Sequence, residues 1–193
     1  MSEMRFIVNE RGKEQLFIED AKIRFHNYAG LQTDFNAAGN RNFDVILPDN
    51  EMAVAMGEKG WNVKIRKPRD PEEPPYYTLN VKINMNSKYP PTFEQIVKGG
   101  DNIVYDEIDL GTFDPNKPTQ RRHGKDDPEK TPDEMNLTKI VVVINGSSWE
   151  SQFGSGIKAY LDQFYFREKA PIYGNYYDED YEEEELDTEK IPF

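Results

Sequence analysis

Cysteine is absent from the 193 residues, which excludes disulfide frameworks, thiolate zinc sites and a cysteine nucleophile, and fits a reducing compartment. Histidine is nearly as scarce. His26 and His123 are the only two, so a metal-activated water would need carboxylates as its remaining ligands. Long apolar runs are also missing: nothing approaches the ~20 residues that cross a bilayer, and Met1-Ser2-Glu3-Met4-Arg5 lacks the charged-then-apolar plan of a signal peptide. The chain is therefore expected to be cytoplasmic, with no membrane partner. No Walker-type glycine loop, dinucleotide fingerprint, His-Glu-x-x-His or Gly-x-Ser-x-Gly occurs, so no cofactor is implied and no catalysis is expected. Asp101, Asp106, Glu107 and Asp109 could in principle serve a two-metal nuclease. Such centres, however, draw their ligands from separated strands, and a contiguous acid cluster is more simply a solvated edge.

What the sequence does have is negative charge, unevenly spread. The formal net charge is −12, yet residues 178–193 hold nine carboxylate side chains against Lys190, a local charge of −8 that leaves −4 for everything before it. Residues 1–98 are balanced, with fourteen acids and fourteen Lys or Arg. A local basic face is therefore permitted despite the acidic total.

Period-2 alternation recurs, as expected where one sheet face is buried and the other solvated. In Ala21-Lys22-Ile23-Arg24-Phe25 the inner set is 21, 23 and 25. In Trp61-Asn62-Val63-Lys64-Ile65-Arg66 it is 61, 63 and 65, and in Leu79-Asn80-Val81-Lys82-Ile83-Asn84-Met85 the outer set is Asn80, Lys82 and Asn84. Three strands thus turn Lys or Arg away from the core, while Trp61, Phe25 and Phe43 are expected inside it. Further strands are predicted at 43–47, 139–144 and 156–167. Asp49 is placed to cap a short helix through Met52–Met56, ended by Gly57 or Gly60. Many short strands and one short helix predict a mainly β domain built as a closed or partly closed barrel, over residues 1–172. Within it, residues 111–137 are rich in proline and charge and poor in apolar side chains, and are expected to form a mobile insertion. Residues 173–193 are expected to be a disordered acidic tail.

The tail's last residues resemble the tip of bacterial single-stranded DNA-binding proteins, in which acids precede a terminal Ile-Pro-Phe. The resemblance implies that Asp187, Glu189, Ile191, Pro192 and Phe193 bind partner proteins, with Phe and Pro in an apolar pocket and the terminal carboxylate gripped by a basic side chain. The body has a second resemblance. Arg24-Phe25-His26-Asn27-Tyr28-Ala29-Gly30, Asn40-Arg41-Asn42-Phe43, Gly60-Trp61-Asn62-Val63-Lys64, Tyr76 to Met85 and Ile157-Lys158-Ala159-Tyr160-Leu161 resemble bacteriophage single-stranded DNA-binding proteins with an OB-like fold. That likeness spans roughly residues 20–165 and departs from the family at the polar insertion. It implies an elaborated five-stranded OB-type barrel that binds single strands during phage DNA replication or recombination and recruits replication or repair proteins through its tail.

The chemistry of the residues agrees. Strand-face cations can follow a phosphodiester chain, and aromatics can stack on bases at about 1–3 kcal/mol each, whatever the sequence. The electrostatic candidates are Lys22, Arg24, Arg41, Lys64, Arg66, Lys67, Arg69, Lys82 and Lys158. The stacking candidates are Tyr28, Phe35, Tyr76, Tyr77, Trp149 and Tyr160. An acidic interaction or decoy protein that touches no DNA is the rival reading, and homo-oligomerisation stays open.

Overall fold

The computed structural model describes residues 2–107, 109–111 and 131–169. The acidic tail and residues 112–130 of the expected insertion lie outside the described residues. The elements run β1 (Glu3–Val8), β2 (Glu14–Glu19), β3 (Lys22–Asn27), β4 (Arg41–Leu47), α1 (Asn50–Glu58), β5 (Val63–Arg66), β6 (Tyr76–Ile83), β7 (Thr92–Gln95) and β8 (Ile103–Val104). A 3₁₀ turn at Pro132–Glu134 then leads into a long hairpin, β9 (Leu137–Ser151) and β10 (Gly154–Glu168). The chain is mainly β with one α-helix among the described residues.

The strands join in the order β1-β2-β9-β10-β6-β4-β3, with β5 beside β6 and β7 linking β10 to β8. Strand β10 meets β6 and β7 in parallel, and every other named pair is antiparallel. Between β2 and β3 the chain turns at Asp20, whose φ of 53° is left-handed. Immediately afterwards Ala21 N–H donates to Ile140 O at 2.7 Å, so the start of β3 still touches β9 although the two stand far apart along the pairing order. The sheet curls far enough to bring its β3 end back to its middle.

Inside the curl, Phe93 and Phe164 stack with centroids 4.2 Å apart, and the rings of Tyr28 and Phe43 meet Phe164 edge-on at 5.6 and 5.5 Å. Burying each such ring is worth about 1.5–3 kcal/mol, with about 0.5–1.5 kcal/mol more per well-set aromatic pair. Leu79, Val81 and Ile83 of β6 point into this core, as the alternation predicts. A second, smaller cluster lies on the opposite face of β2, β9 and β10, where Phe17, Val141, Val143 and Tyr165 are buried with Ile7 and Ile96 against them. Helix α1 begins as expected: Asp49 Oδ1 accepts from Met52 N–H at 2.9 Å. It runs longer than the 52–56 core, and the chain leaves it through Gly60 at φ +95°.

Residues 131–137 correct the expected extent of the insertion. Thr131 and Pro132 are buried, and β9 has begun by Leu137. Asp133 explains the order, because its carboxylate accepts from the backbone N–H of Tyr28 at 3.0 Å and of Ala29 at 2.8 Å.

Candidate nucleic-acid interface

Register across the sheet decides which side chains share a face. Lys22 of β3 lies opposite Ile46 of β4, Ile46 opposite Thr78 of β6, and Thr78 opposite Lys64 of β5, so both lysines stand at the ends of one outward row. In the next row Arg24 faces Asp44 and Asp44 faces Asn80. Two residues further along, Asn42 faces Lys82, and Lys82 faces Tyr160 of β10. The outer surface of five strands therefore carries Lys22, Arg24, Lys64, Arg66, Tyr76, Lys82, Lys158 and Tyr160 together. Lys22, Arg24, Lys64, Lys82 and Lys158 are exposed, and Arg66, Tyr76 and Tyr160 are half-buried.

Local contacts give this surface a fixed shape. Arg24 Nη1 donates to Tyr76 Oη at 2.8 Å, and its guanidinium lies 5.0 Å from the same ring. Arg66 is held by a buried acid: Nη2 donates to Asp44 Oδ2 at 3.0 Å, and Asn80 Nδ2 donates to Asp44 Oδ1 at 2.7 Å. Part of the Arg66 charge is thereby neutralised, leaving Arg24 and the lysines as the less encumbered cations. At the β9–β10 end, Lys158 Nζ sits 5.3 Å above the Trp149 ring. That indole lies across Gly156, where an added Cβ would come within 3.0 Å of Nε1, so glycine is what lets the ring lie flat on the hairpin.

Two loops project beside the face. Residues 28–40 form a tied loop in which Gly39 N–H donates to Gly30 O at 2.8 Å and Asn42 Nδ2 donates to Asn36 Oδ1 at 2.7 Å. Phe35 rides on it, 99% exposed. The hairpin tip carries Phe153, 89% exposed, an aromatic missed in the sequence. Lys67 and Arg69 lie exposed just past β5.

Three expected site residues are corrected. Tyr28 is fully buried among Phe43, Phe93 and Phe164, and Tyr77 is half-buried against the same core. Arg41 is buried too, its Nη1 donating to Tyr28 O at 2.6 Å and its Nη2 to Glu107 O at 3.3 Å. Burial pulls its pKa down, and the nearby Glu107 and Asp133 partly offset this. None of the three is available to a strand lying on the outer face.

One residue moves the other way. Phe25, expected in the core, is 67% exposed with φ 50°, because the β3–β4 register slips between Arg24 and Asn27. That irregularity turns Phe25 out and Tyr28 in. The Phe25 ring then stands 5.8 Å from the Arg66 guanidinium. Positive φ at a non-glycine residue was the missing signal, and side-chain alternation cannot carry it.

Asp106 and Asp109 cap their own turn, each accepting from the other's backbone N–H at 2.9–3.0 Å, and no group of three or more candidate metal ligands exists among the described residues. No helix of the described residues is long and apolar enough to cross a membrane.

A family model described as "Putative phage ssDNA-binding domain" matches residues 6–190. Among solved structures, a single-stranded DNA-binding protein from bacteriophage Enc34 in complex with ssDNA is similar at 10% identity and a TM-score of 0.45, covering 88% of this chain and 93% of that one. Another structure of the bacteriophage Enc34 protein is similar at 11% identity and a TM-score of 0.44, covering 97% and 98%. No curated protein matches. With all but a few residues at either end inside the family match, the chain belongs to the phage ssDNA-binding domain family, a family of binding domains and not of enzymes.

Proposed function

We propose that this chain binds single-stranded DNA, largely irrespective of sequence, along the outer face of β3, β4, β5, β6 and β10. The observation that carries the proposal is the convergence on that face of exposed Lys22, Arg24, Lys64 and Lys82 with Phe25, Tyr76 and Tyr160. Cations at strand spacing follow phosphates, and aromatics between them stack on bases that only an unpaired strand can offer.

The fold supports the same reading as an OB-type barrel. Read as one bent strand, β2–β3 leads to β4, then β6, then a parallel neighbour β10, then β9, which returns to Ala21. OB barrels bind oligonucleotides on the face of their second and third strands, flanked by two loops. Here those positions are β4 and β6, the loop 28–40 with Phe35, and the β9–β10 tip with Phe153. In this reading the chain protects single strands during phage DNA replication or recombination, in the host cytoplasm. The acids before Ile191-Pro192-Phe193 make that segment a tether for recruited replication and repair proteins.

The test is anisotropy of labelled oligothymidine titrated with the full chain at low and high salt, with duplex competitor. Tight binding that weakens steeply with salt and resists duplex is expected, because each neutralised phosphate releases counterions. Absence of binding at low salt would overturn the proposal and leave the acidic interaction protein as the reading.

A further inference from the structure

Where β4 begins and β6 ends, next to the Asn42–Lys82 row, the surface opens into a cleft of about 340 Å³ between the loop 28–40 and the residues after β6. We infer that this cleft is a base-binding pocket that takes one guanine of the bound strand. The inference rests on the proposed single-strand binding and gives it one position of preference.

The cleft continues the DNA face. Arg41 pairs with Ile83 one residue beyond the Asn42–Lys82 pair, and Asn84 follows Lys82 by two residues. Its size falls within the ~300–1,000 Å³ typical of small-ligand sites. Small residues make the room: Ala29, Ala38 and Gly39 line one side. The loop is pre-formed, since Asn27 and Leu31 exchange two hydrogen bonds of 2.8 Å and Gly30 and Gly39 close its neck. A Cβ on Gly30, which has φ +67°, would come within 3.1 Å of the Gly39 backbone, so this neck needs glycine.

The polar groups at the mouth select the base. Glu107 presents a carboxylate whose oxygens accept no hydrogen bond among the described residues, with Arg41 Nη2 3.6 Å behind Oε1. Two parallel acceptor oxygens match a base edge with two adjacent donors. Guanine alone has one, in N1–H and N2–H₂; thymine offers a single N3–H between two carbonyls, and cytosine and adenine an amino group beside an acceptor nitrogen. Across the cleft, Asn84 and Asn86 are exposed, and their side-chain amide nitrogens make no hydrogen bond among the described residues. They supply donors for guanine O6 and N7. Met85 and Ile83 provide the apolar floor.

The test compares labelled oligothymidine with the same oligomer carrying one central guanine, using the full chain and the variants Glu107→Gln and Ala38→Trp. Guanine is expected to tighten binding by about 5- to 150-fold, the range of a good bidentate base contact. Both variants are expected to reduce that ratio towards one while still binding oligothymidine. Using a ratio removes the general gain in affinity from losing one acid near DNA. Equal affinity of the wild-type chain for both oligomers would overturn the pocket and leave the binding face intact. A guanine preference that persists in both variants would also overturn it. Failure to bind either oligomer would overturn the binding face, and the pocket with it.

Discussion

At Phe25 folding stability and the proposed DNA binding call for opposite residues. Left-handed backbone costs a non-glycine residue roughly 1–2 kcal/mol, and Phe25 holds φ 50° while keeping its ring 67% exposed. Glycine would remove the strain but add about 0.5–1 kcal/mol of unfolded-state entropy. Phe25→Gly is therefore expected to leave stability unchanged or raise it by up to about 1.5 kcal/mol, measured by denaturant midpoint. Loss of a stacking ring should at the same time weaken oligothymidine binding by about 1–3 kcal/mol, or 5- to 150-fold. Phe43, opposite Val81 in the sheet and fully buried, should behave inversely: Phe43→Ala is expected to cost about 3–5 kcal/mol of folding stability. Equal DNA affinity of Phe25→Gly and wild type would remove Phe25 from the interface.

Among elements, the 3₁₀ turn at Pro132–Glu134 fixes the start of the loop 28–40 from a distance of about 100 residues in sequence. Burial alone would raise the pKa of Asp133, but hydrogen bonds from His26 and from the backbone N–H of Tyr28 and Ala29 outweigh it and hold the carboxyl below its ordinary value. A depressed carboxylate contributes stability that is present above its unfolded pKa of about 3.9 and is lost as pH falls through the folded value. Asp133→Asn is expected to destabilise the protein by about 1–3 kcal/mol at pH 7, with the gap to wild type closing below about pH 4. A gap that stayed constant from pH 7 to pH 3 would mean that the charge on Asp133 contributes nothing. This turn lies in a stretch whose composition reads as a mobile insertion, because three side-chain and backbone contacts made across the fold leave no local pattern. The hairpin β1–β2 was equally hidden. Leu16, Phe17 and Ile18 are buried on both faces of β2, Leu16 and Ile18 in the main core and Phe17 in the second cluster, so no alternation exists to be read. Half-solvated strands behaved differently: β5 and β6 showed their outward Lys64, Arg66 and Lys82 plainly. The outward cations of the proposed face are therefore legible wherever one side of a strand meets water. Legibility fails where the backbone irregularity in β3 reverses Phe25 and Tyr28, and where a cation, Arg41, is consumed by loop carbonyls.

For the whole molecule, a net charge of −12 and the proposed affinity for phosphates are compatible because of where the charges lie along the chain. Residues 178–193 hold two-thirds of that net charge, and a polyanionic segment on the same chain is expected to compete with DNA for the proposed Lys22–Lys82 face, since tethering raises its effective concentration. Removing residues 178–193 is expected to tighten oligothymidine binding severalfold at low ionic strength. The gain should fade as salt shortens the screening length from ~10 Å at 0.1 M to ~3 Å at 1 M. Removing Phe193 alone leaves the acids in place, so DNA affinity should stay that of the full chain while capture of host replication and repair proteins is lost. If the long truncation binds no more tightly at low salt, the tail does not compete for the face and its acids serve only the tether. If it binds more tightly by the same factor at every salt concentration, the competition is not electrostatic, and the apolar Ile191-Pro192-Phe193 would be the competing element.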